Sequence, residues 1–454
     1  MEDKKIVIIG GGFAGINLAM DLAGAEGINV TLVDKNNYNH FTPLLYQLAA
    51  GFLDVSSISI PFRTLFKGKK NLHFRMGELQ KVIPEERKVV LPAETISYDY
   101  LVIATGTKPN FFGMENIEKN ALPMKSIDDA VRLRNFLLSE TEKYIQSDDE
   151  EEKRKMRNIV IAGAGPSGVE LAGILSEVRN QILEDIYPEL DEDRMNIYLV
   201  DAASSVLPPM AEKSQKYARK CLEDMGVQVQ LEKMVSDYKE DKVEFKDGSY
   251  IETKTMIWAA GVTGFRLDGF PDDCYQKGNR LKVNEYNKVA GTENIYAIGD
   301  SCIMSSDPNF PNGHPQLAAV AKQQGEAMAK NFMALVKGQK QEPFKYKDKG
   351  TMAIIGRNRA VADLTFPEKT ITGWTAWVAW ITVHLFLLLS YRNQVRTMWN
   401  WANSFFSDGH SQGILVGQLP VRSSPEGKMN QNDECQMPNI KDKNSTSGAT
   451  PLQL

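Results

Sequence analysis

Two aspartates stand where a carboxylate can take the hydroxyls of a ribose. Asp34 ends the β-branched run Ile28-Asn29-Val30-Thr31-Leu32-Val33, and Asp201 ends Asn196-Ile197-Tyr198-Leu199-Val200. Each follows a glycine pattern: Gly10, Gly12 and Gly15 are spaced G-x-G-x-x-G, and so are Gly163, Gly165 and Gly168. In this pattern the first glycine allows a tight turn. The second lets a pyrophosphate approach the backbone, and the third lets a helix pack close to a strand. The helix N-terminus then offers free N–H groups and a partial positive charge to the phosphates.

Positioning such residues takes a strand, a turn and a helix. Lys5-Ile6-Val7-Ile8-Ile9 precedes the first glycines, and the Phe13-Ala14-Gly15-Ile16 segment opens a helix. Asn158-Ile159-Val160-Ile161-Ala162 precedes the second, and Pro166-Ser167-Gly168-Val169-Glu170-Leu171 opens another helix. Asp34 lies about 20 residues past its glycines, the usual interval. The second interval is longer, and residues 181–195, acidic and carrying Pro188, account for it as a helix extension or insertion. One dinucleotide needs one such unit, so two units imply two, and the natural pair is FAD and a nicotinamide. Asp201 favours NADH over NADPH, because a carboxylate accepts hydrogen bonds from a free 2′-OH and repels a 2′-phosphate. Glu170, placed on the first turn of the second helix, has two readings: an acid that complements the dipole, or a group that approaches the nicotinamide end.

Other segments end in small residues. Tyr98 to Ile103 runs into Ala104-Thr105-Gly106, which would lie near the first cofactor, because strand C-termini line the ligand crevice of a doubly wound sheet. Met256-Ile257-Trp258-Ala259-Ala260-Gly261 and Asn294-Ile295-Tyr296-Ala297-Ile298-Gly299-Asp300 read alike. Asp300 can bind a polyol hydroxyl or serve as a turn aspartate. Residues 39–51, with Thr42-Pro43-Leu44 and Gln47, form an apolar segment open to core packing or to facing a ligand. Residues 126–147 read as a helix, and the charge run 148–155 as a solvated helix end or linker.

A chain of 454 residues is long for one core, which predicts two domains and an appendage. The formal charge of −5 argues against nucleic acid. The first strand begins within a few residues of Met1, so no signal peptide is expected and the chain should stay where it is made. Cys221, Cys274, Cys302 and Cys435 form no C-x-x-C, which argues against a disulfide framework or a metal site.

The order GGGFAG, ATG, GAGPSGVE, WAAG and YAIGD resembles the two-dinucleotide-binding flavoprotein superfamily. Residues 39–51, the PQLAAVAKQQG segment at 315–325 and the FKYKDKGTMAIIGR segment at 344–357 narrow the resemblance to type II NADH dehydrogenases, the single-subunit NADH:quinone oxidoreductases. The match covers residues 5 to 415.

The resemblance implies an α/β fold with two Rossmann-like domains, the FAD domain interrupted by the NADH domain, and a C-terminal amphipathic membrane-anchoring helical region. The expected boundaries are 1–125 and 266–345 for FAD, 126–265 for NADH, 346–415 for the anchor and quinone access, and 416–454 for a disordered tail. It implies FAD at Gly10, Gly12, Phe13, Ala14, Gly15, Asp34, Lys35, Thr42, Pro43, Leu44, Ala104, Thr105, Gly106, Gly299 and Asp300. NADH is expected at Gly163, Gly165, Pro166, Ser167, Gly168, Glu170, Asp201, Ala260 and Gly261. Glu170, Gln323 and Gln324 are the implied catalytic residues, with Gln47, Gln316 and Gln323 toward the quinone. The family often reads Ala-Gln-x-Ala-x-Gln where this chain has Ala319 in place of the first Gln; Gln316, about one helical turn earlier, is its expected substitute.

Residues 371–390 are apolar and carry Trp374, Trp377 and Trp380, followed by the cationic, aromatic segment 391–406. A buried helix, a true span and a helix pair lying in one leaflet compete, and the mixed polarity favours the pair. His384 reads as packed or interfacial. The expected partners are a membrane quinone and a lipid surface, with no nucleic acid and with homodimerisation left open. The expected place is the cytoplasmic face of the plasma membrane, or the matrix side if the chain is mitochondrial. The expected reaction is hydride transfer from NADH to FAD and two electrons to quinone, without proton pumping. Two alternatives stand beside it. A sulfide:quinone oxidoreductase needs a cysteine pair, for which Cys274 and Cys302 are the candidates. A membrane redox sensor would show little turnover.

Overall fold

Strands that are apolar at successive positions need cover on both faces, which favours parallel sheets sandwiched by helices. In the computed structural model, which describes residues 3–180, 186–187, 190 and 195–406, two such runs sit at the centres of two five-stranded parallel sheets. In the first, Lys4–Ile9 lies between Ile28–Asp34 and Tyr100–Ile103, with Leu72–Met76 and Ile295–Ala297 outside them. In the second, Asn158–Ala162 lies between Asn196–Val200 and Thr255–Trp258, with Val227–Gln230 and Leu122–Pro123 outside. Ile6 pairs with Val30 on one side and Tyr100 on the other. Val160 likewise pairs with Tyr198 and Met256. Each sheet therefore places an aspartate-ending strand on one side of its glycine strand and a small-residue ending on the other. The first sheet takes its outer strand Ile295–Ala297 from beyond the second sheet's strands, so one α/β unit interrupts the other.

The segment expected to be helical is Ile127–Gln146. Ser126 and Asp129 close a capping box: the Ser126 hydroxyl accepts from the Asp129 N–H at 3.1 Å, and the Asp129 carboxylate accepts from the Ser126 N–H at 2.8 Å. The following charge run is a helix of its own, Glu150–Arg157, capped by Asp149. Its acids lie in the first turn and its bases in the last, which suits the dipole.

After the second sheet's strands the chain forms a three-stranded antiparallel sheet, Thr351–Gly356, Arg359–Thr365 and Glu368–Thr372. The 371–390 run is divided: strand to Thr372, a turn at Gly373 (φ +77°), then the helix Trp374–Leu387. Fourteen residues make about 21 Å, short of a hydrocarbon core of about 30 Å. Among the described residues no helix is long and apolar enough to cross a membrane. The next helix, Tyr391–Phe406, is held against Val55–Ile58 by polar groups. Asn393 donates to the carbonyls of Ser57 and Ser59, both at 3.0 Å, and the Thr397 hydroxyl donates to Ser57 O. The tail, Cys435 and most of the 181–195 insertion lie outside the described residues.

Candidate active site

The two glycine turns are built on the same plan. The Gly10 N–H donates to Val33 O at 2.8 Å, and the Gly163 N–H donates to Val200 O at 2.8 Å. Gly10 has φ +104° and Gly163 +109°, a region that disfavours side chains. A Cβ on Gly10 would lie 2.3 Å from Ala104 O, and one on Gly163 2.6 Å from Ala259 O. A Cβ on Gly15 would meet Gly10 O at 1.9 Å, and one on Gly168 would meet Gly163 O at 1.8 Å. The middle glycines differ from these. A Cβ on Gly12 or Gly165 would meet nothing within 4 Å, so open space lies over the N-terminus of each helix, Phe13–Asp21 and Pro166–Val178. Neither helix has a side-chain cap or an acid in its first turn. Their leading N–H groups are left for an anion.

The aspartates are fixed by the turns they serve. One Asp34 oxygen accepts from the Gly11 N–H at 2.7 Å and the other from Asn36 N–H at 2.8 Å. One Asp201 oxygen accepts from Ala164 N–H at 2.5 Å and the other from Ala203 N–H at 2.7 Å. Burial pushes the Asp34 carboxyl up, against the Gly11 and Asn36 hydrogen bonds. Asn39, not singled out in the sequence, donates from its buried amide to Gly11 O at 2.7 Å.

Around the first cradle, Thr105 is half-buried and Gly106 takes φ +66°. The Gly299 N–H donates to Gln324 Oε1 at 2.6 Å, which fixes the turn into Asp300. Burial raises Asp300, opposed by the charges of Lys125 and Arg280, two further residues the sequence did not reveal. The Arg280 Nε and the Thr107 hydroxyl are buried without a partner among the described residues. Open space above Gly12, phosphate-ready N–H groups and unspent polar atoms fit a bound FAD. Lys35 is exposed, Thr42 and Pro43 are half-buried, and Leu44 is fully buried in the core. Phe13 packs edge-on against Phe41 at 5.6 Å.

Glu170 is not in the first helical turn, since Pro166 is the first residue of its helix. It lies one turn further, where it faces a cavity of ≈ 440 Å³ rather than the helix end. The helix Leu45–Ala49 contributes Tyr46 and Gln47 to this cavity. The helix Pro166–Val178 contributes Glu170, Ile174 and Glu177, the C-terminal sheet Ile354 to Arg357, and the two C-terminal helices Trp377, Trp380 and Trp401. Burial raises the Glu170 carboxyl to about 8, against a hydrogen bond from the Ile354 backbone. Burial raises Glu177 to about 6, against the Arg357 N–H and the charges of Arg359 and Arg357. The Trp401 indole donates to Gln47 Oε1 at 2.7 Å, and the Gln47 amide donates to the Tyr46 hydroxyl at 2.8 Å. His384 stacks on Trp380 with centroids 3.9 Å apart, within hydrogen-bond distance of its carbonyl, and burial lowers it to about 4. It is a packed, neutral residue.

The remaining glutamines lie elsewhere. Gln316 precedes the helix Ala318–Val336, so it is not one helical turn before Ala319; its amide reaches Asp300 O at 3.5 Å. Gln323 trades two bonds with the Lys347 backbone, each 3.0 Å. Neither they nor Gln324 line the cavity. Cys221, Cys274 and Cys302 are free and buried. Cys274 Sγ faces Ala290 O, while Cys302 Sγ faces Gly299 O and Gln324, and burial raises both thiols, Cys302 to about 12. These thiols form no pair of the kind sulfide chemistry needs.

Residues 4–325 match the pyridine nucleotide-disulphide oxidoreductase family, and residues 349–408 match the NDH2 C-terminal domain. The chain is 33% identical over 432 residues to a type II NADH:quinone oxidoreductase of Mycobacterium tuberculosis, covering 91% of this chain and 90% of that one. The chain belongs to the type II NADH:quinone oxidoreductases. The type II enzyme of Haemophilus influenzae is 31% identical, covering 80% of this chain and 87% of that one. In fold, this type II enzyme matches the Plasmodium falciparum NDH2 solved with NADH, with a TM-score of 0.82 at 22% identity over 92% of this chain and all of the other. An Aquifex aeolicus sulfide:quinone oxidoreductase shares the fold less closely, with a TM-score of 0.68 at 20% identity over 90% of this chain and 96% of that one.

Proposed function

We propose that this protein oxidises NADH and passes two electrons through FAD to a membrane quinone, without pumping protons. The observation that carries this reading is the pair of open glycine cradles together with a large apolar cavity, walled in part by the second glycine helix, that has two carboxyl groups in its lining. FAD supplies hydride acceptance and onward electron transfer when bound. The chain's own residues bind and orient. Gly10 to Gly15, Asp34 and Asp300 hold the FAD, with Thr105 and Gly106 against it. Gly163 to Gly168 receive the NADH pyrophosphate and Asp201 the adenine ribose. Gly163 backs onto Ala259 and Ala260, so the nicotinamide half falls on the Ala260–Gly261 side, away from Asp201. A quinone headgroup enters the cavity beside Tyr46, Gln47 and Glu170. Glu170, neutral at pH 7 because burial raises it to about 8, is its proton donor. Gln324 holds the Gly299–Asp300 turn, Gln323 ties its helix to the chain after residue 345, and both act as positioning residues.

Lipid contact belongs to the same proposal. Trp374 is 61% exposed, Phe386 75%, Tyr391 80% and Trp399 65%, with Arg392 and Arg396 exposed among them. Aromatic and cationic side chains on two short helices suit the interfacial layer of an anionic bilayer. The protein would sit on the membrane face that meets the cell's NADH, cytoplasmic or matrix.

Anaerobic titration tests the reading. A yellow protein should bleach with about one NADH per flavin and recolour on adding a soluble quinone. A colourless protein, or bleaching by sulfide but not by NADH, ends it. A single reduction without turnover would identify a sensor.

A further inference from the structure

The helix Pro166–Val178 presents two carboxylates on one face, Glu170 and Glu177. Seven residues of helix advance about 10.5 Å. Each carboxylate takes a backbone N–H from the C-terminal sheet, at Ile354 and at Arg357. Three residues of strand advance about 10 Å, so the two spacings match. The contact is close throughout: a Cβ on Gly173 would lie 1.7 Å from Ile355 O, and one on Gly356 2.7 Å from Glu177 Oε1. Each N–H uses one of a carboxylate's acceptor sites and leaves others free. Both residues line the same cavity, which has room for a chain of waters between them.

We infer that Glu177 is the proton-uptake residue of the quinone cavity, passing protons from solvent to Glu170. This rests on the reading above. The balance is NADH + H⁺ + quinone → NAD⁺ + quinol. The hydride of NADH brings two electrons and one proton's worth of hydrogen, so one proton must come from water. Glu170 gives its carboxyl proton to a quinone oxygen, breaking one O–H bond and forming another. The Glu170 carboxylate regains a proton from Glu177, which takes one from bulk solvent.

The charged and titratable groups facing Glu177 suit this order. Arg357 and Arg359 come from the C-terminal sheet, Tyr46 from the helix Leu45–Ala49, and Glu170 from its own helix; Met225 brings no charge. Glu177 is half-buried and bonded to the exposed Arg357, which puts it at the solvent side of the pair. With Glu177 near 6 and Glu170 near 8, Glu177 is mostly ionised at pH 7 and Glu170 mostly protonated. Proton flow inward is therefore downhill.

Glu177→Gln keeps an acceptor for the Arg357 N–H but carries no proton. Stopped-flow spectra of the holoenzyme should show NADH bleaching the flavin at the wild-type rate. Reoxidation by quinone should slow at least tenfold at pH 8 and less at pH 6, with partial rescue by added formate. Quinone quenching of the cavity tryptophans should be unchanged, since binding is intact. Wild-type reoxidation at every pH, or slowing that is equal at all pH values and unrescued, would overturn the relay and leave Glu177 as a strap. If Glu177→Gln does not fold, Arg359→Gln replaces it. Removing that cation raises Glu177 further and should move the pH profile of reoxidation upward; an unmoved profile overturns the relay. Failure of the wild type to bleach with NADH would instead defeat the reading under Proposed function.

Discussion

The two glycine helices begin identically and are covered differently. The first, Phe13–Asp21, lies against the helix Ala318–Val336, where a Cβ on Gly325 would meet Ala14 O at 2.6 Å. Gln324 on that covering helix also fixes the Gly299–Asp300 turn. The second, Pro166–Val178, lies against the strand Thr351–Gly356, and Pro166 and Ser167 at its start are exposed. Both cradles are open at their middle glycines, but the helix covering the first also ties down the turn into Asp300, as suits a cofactor that stays bound. The covering strand of the second ties down no such turn, as suits a substrate that exchanges each turnover, and the covered face of that helix is spent on a cavity wall. On that difference the same motif is expected to give retention in one cradle and exchange in the other.

The sharpest way to break this contrast is to place a charge in each cradle. A Cβ at Gly12 or Gly165 meets nothing, so Gly12→Glu and Gly165→Glu should fold, with the carboxylate where a phosphate binds. Gly12→Glu should purify with less than about a tenth of the flavin, and Gly165→Glu should stay yellow with a KM for NADH raised about a hundredfold, each charge clash amounting to several kcal/mol. Absorbance at 450 nm per chain and steady-state kinetics check both. Equal flavin loss in the two would erase the distinction.

Asp201→Arg should lower kcat/KM for NADH about a hundredfold and leave NADPH nearly unchanged, because the ribose contact is lost and a 2′-phosphate partner gained. Parallel loss with both nucleotides would deny Asp201 its ribose role.

A smaller effect separates the covered faces. Glu170 titrates near 8 folded and near 4.5 unfolded, so the folded state holds the extra proton. Stability is full below 4.5 and falls as pH rises toward 8, by up to about 1.4 kcal/mol per pH unit. Glu170→Gln should flatten that part of the melting-temperature profile. A slope identical to wild type would show that the carboxyl is better solvated than its cavity implies.

The smallest effect distinguishes the two neighbouring glutamines. Gln324→Ala leaves the Gly299 N–H buried and unpaired, at a cost of about 1–3 kcal/mol, and should loosen flavin. Gln323→Ala frees exposed Lys347 backbone groups to water and should cost about 1 kcal/mol or less with flavin retained. Thermal unfolding followed by flavin fluorescence reads both.

Sequence alone determined both cradles, because strand, turn, helix and aspartate are local and their spacing is set by backbone geometry. The helix expected over 126–147 was legible for the same reason; its cap, Ser126 with Asp129 three residues on, was found only in the structure. Glu170 was visible as a residue but not as a buried acid. Its surroundings come from Tyr46, Ile354 and Trp380, which are distant along the chain and meet only in the fold. Glu177 carried a faint signal, seven residues on and therefore on the same helical face. Trp401, 354 positions from Gln47, carried none. The placing of Gln316 failed because the helix starts at Ala318 with no side-chain cap to mark that end, and an uncapped helix boundary is uncertain by a residue or two. Local spacing can specify a nucleotide cradle. Only tertiary packing decides burial, and burial sets which carboxyl keeps its proton.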